Sequence, residues 1–177
     1  MRTIETTVYK FSELSAKAKQ RAKDDSAEVW GYSSAEEAIE SLKKLAEHFD
    51  GKLKDYAIDF FACSHSSATW DMPEMTRTEI KRRLATLGGY NRHTGRGDGD
   101  CVLTGVCWDE DAIDGFRAAF REGARSLSVL MGTAFAHWLK AVQADCEDQF
   151  TDETFGELCE ANDYEFFENG KLIPRGK

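Results

Sequence analysis

The sequence predicts one α+β domain over residues 1–177, with an antiparallel or mixed sheet of about four to six strands covered by amphipathic helices. Three observations predict it. Runs rich in β-branched residues occur at the start, middle and end of the chain. Apolar stripes with helical spacing lie between them. A chain of 177 residues has the length of a single domain.

The N-terminal third begins with a predicted strand and continues with two predicted helices. Polar and apolar residues alternate over Thr3–Phe11, which is typical of a strand. Ser12 or Ser15 can cap the helix that follows. The serines at 33–34, each followed three residues later by a glutamate, predict a new helix start, and Asp50-Gly51 predicts its end.

The middle third predicts two strands, a basic helix and a third strand. Residues 52–61 and 62–70 have strand composition. Thr76 begins a helix whose apolar residues, Ile80, Leu84 and Leu87, fall on one face. A glycine-rich loop then leads into the predicted strand 101–108.

The C-terminal third is mainly helical. Asp109 is expected to cap one helix, and Ser126–Asp148 is predicted to form the longest helix, packed centrally across the sheet. Thr151 can cap a last short helix. Asn169-Gly170, between two β-type runs, predicts a hairpin.

Charge divides the chain unevenly. Residues 1–108 contain 17 acidic and 16 basic side chains, whereas residues 109–168 contain 15 acidic and 4 basic ones. Duplex binding requires cations that displace phosphate counterions, so the second half is unsuited to nucleic acid. An excess of carboxylates instead favours a partner with a basic surface.

Several functional classes find little support. No apolar run is long enough to cross a membrane, and the N-terminus does not resemble a signal peptide. Five widely spaced cysteines then indicate reduced thiols in a cytoplasm. Neither a catalytic triad nor a nucleophile elbow is recognisable, so the sequence predicts neither an enzyme nor a cofactor.

Two weaker alternatives have named residues. A metal site would use soft ligands from the middle of the chain, namely Cys63, His65, His93, Cys101 and Cys107, although their spacing matches no common zinc module. A nucleic-acid site would use the only basic cluster, which lies beside Trp70 and Tyr90 and consists of Arg77, Lys81, Arg82, Arg83, Arg92 and Arg96.

Three stretches carry a family resemblance. The segment Phe11–Ala22, FSELSAKAKQRA, follows a strand-like start; Gly97–Leu103 reads GDGDCVL; and Tyr164–Leu172 is rich in aromatic residues. In this order they resemble a group of small phage-encoded accessory proteins. The resemblance implies expression in the cytoplasm of a bacterial host, in a class that includes inhibitors of host defence, among them anti-CRISPR proteins, and modulators of host enzymes. It implies no catalytic residues.

The sequence therefore predicts a non-enzymatic protein that binds and inhibits or modulates a host protein, such as a nucleic-acid-handling defence complex. Its contact surface would be the acidic C-terminal half. The residues expected to carry it cluster at predicted helix ends, where side chains are exposed: Asp109, Glu110, Asp111, Asp145, Glu147, Asp148, Asp152 and Glu153.

Overall fold

Helices dominate the chain, and the described strands form one small sheet. The structure, a computed structural model, describes residues 7–60, 65–87, 103–104 and 108–174, with only the backbone described over 28–36. In these ranges it is a mixed α+β fold with six helices and a two-stranded antiparallel sheet. The elements in chain order are a short 3₁₀ helix Phe11–Glu13, α1 Ala16–His48, β1 Lys52–Ala57, β2 Ser67–Asp71, α2 Arg77–Leu84, α3 Asp109–Arg121, α4 Leu127–Gln149 and α5 Asp152–Ala161.

The chain folds as two compact units. The terminal unit comprises residues Met1–Tyr32 and Asp145–Lys177, and the middle unit comprises Ser33–Ala144. Each has its own apolar core.

The terminal unit is built on an aromatic cluster. Phe11 lies edge-on to Phe155, with ring centroids 5.1 Å apart, and Phe166 is also fully buried against them. The Ser15 hydroxyl accepts a hydrogen bond from Ala18 N and caps α1, as predicted. Burying these rings supplies most of the driving force available to so small a unit.

The C-terminal hairpin belongs to this unit. Phe167 and Lys171 close a three-residue loop in which Gly170 has a φ of 85°, so the predicted Asn169-Gly170 hairpin is confirmed. A Cβ on Gly170 would lie 2.0 Å from the carbonyl oxygen of Ala18. Both the backbone conformation and the close approach to α1 therefore require glycine.

The middle unit packs apolar faces of four helices together. The ring of Phe49 in α1 stacks on Phe116 in α3 with centroids 4.6 Å apart. Trp138 of α4 is fully buried, as are Ile80 and Leu130. The side chains of Ile80, Leu84 and Leu87 are buried as their spacing predicted.

The small sheet also belongs to the middle unit. Strands β1 and β2 pair antiparallel from Lys52↔Asp71 to Ala57↔Ser67, with an irregularity between Leu53 and Asp55. Most of their side chains are exposed. The strands predicted over residues 52–61 and 62–70 are found in shortened form, because residues 58–60 and 65–66 are not in a strand; residues 61–64 lie outside the described residues.

The predicted sheet is confirmed only in part. The sequence predicts four to six strands, and the described ranges contain two strands and two isolated bridges. Tyr9 pairs with Phe166 rather than with the middle strands, and Phe11 lies in the 3₁₀ helix. Of the predicted strand 101–108, Leu103 and Thr104 form a bend, Trp108 lies in a turn, and the rest is outside the described residues, as are residues 3–6.

The helix predictions need two corrections. Ser33-Ser34 begins no new helix, because α1 continues through that region for 33 residues. The helix predicted over Ser126–Asp148 is present as α4, but at 23 residues it is shorter than α1. Serine favours helix caps but also occurs inside helices, so a capping box permits a helix start without requiring one.

Candidate partner-binding surface

Helix α5 presents a row of carboxylates. Its start is fixed by Thr151, whose side chain accepts a hydrogen bond from Thr154 N, as predicted. Phe155 and Cys159 are buried and orient the helix. Positions i, i+4 and i+7 share a helix face, so Glu153, Glu157 and Glu160, all exposed, form one row that points away from the core.

The row includes two residues that the sequence reading missed. Glu157 and Glu160 follow Glu153 at helical spacing, and this spacing was the signal that could have found them. Leu158 is also exposed, with 48% of its surface accessible, but it directly follows Glu157 and therefore lies on a different side of the helix from the row.

The end of α4 adds further carboxylates to the terminal unit. Glu147 and Asp148 are exposed, and half-buried Asp145 accepts a hydrogen bond of 3.1 Å from Gln149 Nε2. Five of the eight predicted residues therefore belong to this unit, namely Asp145, Glu147, Asp148, Asp152 and Glu153.

One of these carboxylates is partly neutralised. Lys23 Nζ lies 2.6 Å from Asp152 Oδ1. The hydrogen bond from Lys23 holds the pKa of the Asp152 carboxyl below its usual range. Asp152 therefore contributes less net negative potential than its neighbour Glu153.

The other three predicted residues belong to the middle unit, and one of them is buried. Asp109 Oδ2 accepts hydrogen bonds from Leu103 N and Thr104 N, at 2.9 and 2.8 Å, and Oδ1 accepts one from Thr104 Oγ1. The expectation that Asp109 is exposed is wrong. Its carboxylate fixes the segment before α3 and is not presented to a partner, whereas Glu110 is exposed and Asp111 half-buried.

The basic cluster is divided between structural and exposed side chains. Arg77 donates to the carbonyl oxygens of Phe120 and Ala124, and its guanidinium lies 4.0 Å from the centroid of the Phe120 ring. Arg83 donates to the carbonyl of His48 at 2.8 Å and pairs with Asp50. These two arginines complete the C-termini of α3 and α1.

The other four members of the cluster take no part in the contacts described above. Lys81 and Arg82 are exposed, and Arg92 and Arg96 lie outside the described residues.

The metal-site residues are mostly outside the described ranges. His65 is exposed. The other four candidate ligands, Cys63, His93, Cys101 and Cys107, lie outside the described residues. Within the described residues no three potential ligands converge on one point. Cys146 and Cys159 are buried, and burial raises the pKa of the first thiol to about 12 and of the second to about 11.

Two further findings concern membrane-spanning helices and similarity to known proteins. Among the helices of the described residues, none is both long and apolar enough to cross a membrane. Comparisons with protein-family models, with curated proteins and with solved structures found no match for this chain.

Proposed function

We propose that this chain is a phage-type accessory protein that binds a basic surface of a host protein and inhibits or modulates it. The contact surface is the glutamate row of α5 (Glu153, Glu157 and Glu160), and Glu147 and Asp148, exposed at the end of α4, add negative charge to the same unit. The function is binding, with no catalytic step.

The glutamate row is the observation that carries this proposal. Like charges at i and i+4 destabilise a helix by a few tenths of a kcal/mol. A surface that only maintains solubility could distribute its charges over several faces and avoid that repulsion. A cationic partner would convert the repulsion into attraction and would be steered towards it at low salt.

A nucleic-acid-handling defence complex is the partner class that this surface suits best. The substrate channel of such a complex is lined with cations that bind the regularly spaced phosphates of a nucleic acid. Carboxylates repeated along a helix offer a comparable array of negative charge. The resemblance of Phe11–Ala22, Gly97–Leu103 and Tyr164–Leu172 to phage accessory proteins supports the same class.

Capture from a bacterial lysate tests the proposal. The chain is immobilised, and bound proteins are quantified by mass spectrometry at about 50 mM salt, where electrostatic attraction is only weakly screened. The test variant carries Glu153→Gln, Glu157→Gln and Glu160→Gln. Its partners should fall at least tenfold in yield, which corresponds to about 1.4 kcal/mol.

A matched variant controls for net charge. Glu37, Glu74 and Glu122 are exposed glutamates of the middle unit, and changing all three to glutamine removes the same total charge. This variant should retain the partners. If both variants recover them at the same level as the unaltered chain, the α5 row is only a solvated surface.

A further inference from the structure

The C-terminal hairpin has an open edge. Tyr9 and Phe166 exchange two hydrogen bonds of 2.9 Å, and Phe166 also forms a bridge with Leu172. The segment around Phe166 is therefore central, and the segment around Leu172 is the outer one. Its other side carries no further strand within the described residues.

The backbone polar groups of Leu172 point towards this open edge. Phe167 N donates to Lys171 O and Ile173 N donates to Glu165 O, both at 2.9 Å. This pattern makes Phe166 and Leu172 a non-hydrogen-bonded antiparallel pair, in which the N–H and C=O of each residue face away from the other. In the described part of the chain, the Leu172 N–H and C=O have no hydrogen-bond partner.

A cavity of about 380 Å³ lies beside the same edge. Its lining combines apolar and acidic side chains, namely Asp163, Tyr164, Glu165, Leu172, Ile173 and Pro174. Its volume is at the lower end of the range for ligand pockets. Leu172 itself is 40% exposed.

From these observations, and resting on the proposed function, we infer that the Leu172 edge binds a basic, extended segment of the partner as an added β-strand. Leu172 N–H donates to the added strand, and its C=O accepts from it. One apolar side chain of that strand enters the cavity.

Charge selects the occupant. Residues 145–177 contain ten acidic side chains and three basic ones, Lys171, Arg175 and Lys177. Asp163 and Glu165 line the cavity itself. Lys10 Nζ lies 3.6 Å from Glu165 Oε1 and offsets part of its charge. The two carboxylates and this lysine together leave a net negative charge, which attracts cationic side chains on the added strand and repels anionic ones. Pro174 has no N–H to donate, which limits the pairing to a short segment centred on Leu172.

A synthetic peptide of alternating lysine and valine, blocked at both ends, is the probe. It is titrated into the full chain at about 50 mM salt, and backbone amides are followed by NMR. We expect saturable binding with shifts at Leu172 and Ile173. The same peptide with every backbone amide N-methylated keeps its charges but cannot donate, and should bind about tenfold more weakly, the value of one or two hydrogen bonds.

Protein variants provide the second arm. Leu172→Pro removes the outward N–H but none of the hydrogen bonds inside the hairpin, and should weaken the lysine–valine peptide to a similar extent. Asp163→Asn with Glu165→Gln should reduce the preference for this peptide over its glutamate–valine analogue. Slow alkylation of Cys146 and Cys159 verifies that each variant is folded.

Two results would overturn the inference. One is equal binding of the methylated and unmethylated peptides, or the absence of binding by both. The other is a set of shifts confined to Glu153, Glu157 and Glu160. The latter result would leave the acidic surface of the proposed function intact, and lysate capture tests that surface separately.

Discussion

Helices α2 and α5 both carry a conspicuous cluster of charge, but they use it in opposite ways. In the middle unit, Arg77 and Arg83 of α2 reach backbone carbonyls at the ends of two other helices. In the terminal unit, Glu153, Glu157 and Glu160 of α5 point outward in a row. The α2 arginines stabilise the fold, whereas Glu157 of α5 contributes repulsion with Glu153 and Glu160 in its own helix.

The difference follows from side-chain chemistry. A guanidinium has five N–H donors and a long apolar stem, so it can satisfy several carbonyl oxygens while it covers a ring such as that of Phe120. A carboxylate only accepts hydrogen bonds and finds few donors outside helix N-termini. In this chain the basic cluster of α2 is therefore weaker evidence for a binding surface than the acidic row of α5.

The largest expected effect tests whether packing, rather than charge, holds the terminal unit together. Gly170→Ala places a Cβ 2.0 Å from Ala18 O at a φ of 85°. The conformational cost of about 1–2 kcal/mol and the overpacking cost of about 1–3 kcal/mol predict a loss of about 3 kcal/mol. Unfolding in urea measures this loss of stability, and the alkylation of Cys146 and Cys159 reports how much of the chain is unfolded.

Gly132 in α4 is the matched control. A Cβ there would meet nothing within 4 Å. Gly132→Ala should therefore stabilise the chain by about 0.5–1 kcal/mol, because alanine restricts the unfolded chain and favours the helix. Equal effects of Gly170→Ala and Gly132→Ala on stability would mean that the hairpin does not pack against α1.

The next effect tests the role of charge in the middle unit. Arg77→Ala removes hydrogen bonds to two carbonyls and the contact with Phe120. The exposed position reduces the effect to about 1 kcal/mol, or a melting midpoint lower by about 2–4 °C. Arg82→Ala, its exposed neighbour, should leave the midpoint unchanged. If Arg82→Ala were as damaging as Arg77→Ala, the distinction between structural and exposed cations would fail.

Acid titration compares one ion pair from each unit. Hydrogen bonds from Arg83 and from Lys23 lower the pKa of Asp50 and of Asp152, respectively. A lowered folded-state pKa contributes stability that is present above the unfolded value, about 3.9, and is lost as pH falls through the folded one. Asp50→Asn and Asp152→Asn should therefore each have a lower free energy of unfolding than the unaltered chain at pH 7, and this difference should disappear in acid. Differences that persist undiminished at low pH would exclude these pairs as the cause.

Local signals in the sequence predicted local structure well. The caps at Ser15 and Thr151, the end of α1 at Asp50-Gly51 and the hairpin at Gly170 each depend on a few adjacent residues. These features require no knowledge of what packs where.

Non-local features were predicted poorly. The pairing of Tyr9 with Phe166 spans almost the whole chain, and no local pattern specifies it. The burial of Asp109 depends on donors from Leu103 and Thr104 and could not be distinguished from an exposed helix start. Of the candidate site, the acidic character of the C-terminal half was predictable, whereas the direction of each carboxylate required the orientation of α5, which Phe155 and Cys159 set.

The smallest expected effect has the most informative sign. Glu157 stands between Glu153 and Glu160 in the α5 row, at i+4 from the first and i−3 from the second. Glu157→Gln removes repulsion with both and keeps the shape and helix propensity of the side chain, so the free energy of unfolding should rise by about 0.2–0.5 kcal/mol. Thermal melts at low and at high salt measure it, and the gain should shrink at high salt because repulsion is screened.

Glu110→Gln is the control. Glu110 lies in the first turn of α3, and its substitution should lower the free energy of unfolding, because a negative charge at a helix N-terminus is favourable. A loss of stability with Glu157→Gln would mean that Glu157 has a stabilising role in the free chain, and the repulsion argument for a cationic partner would fail. A gain in stability together with a loss of captured partner would show that the row costs folding free energy and is used for binding.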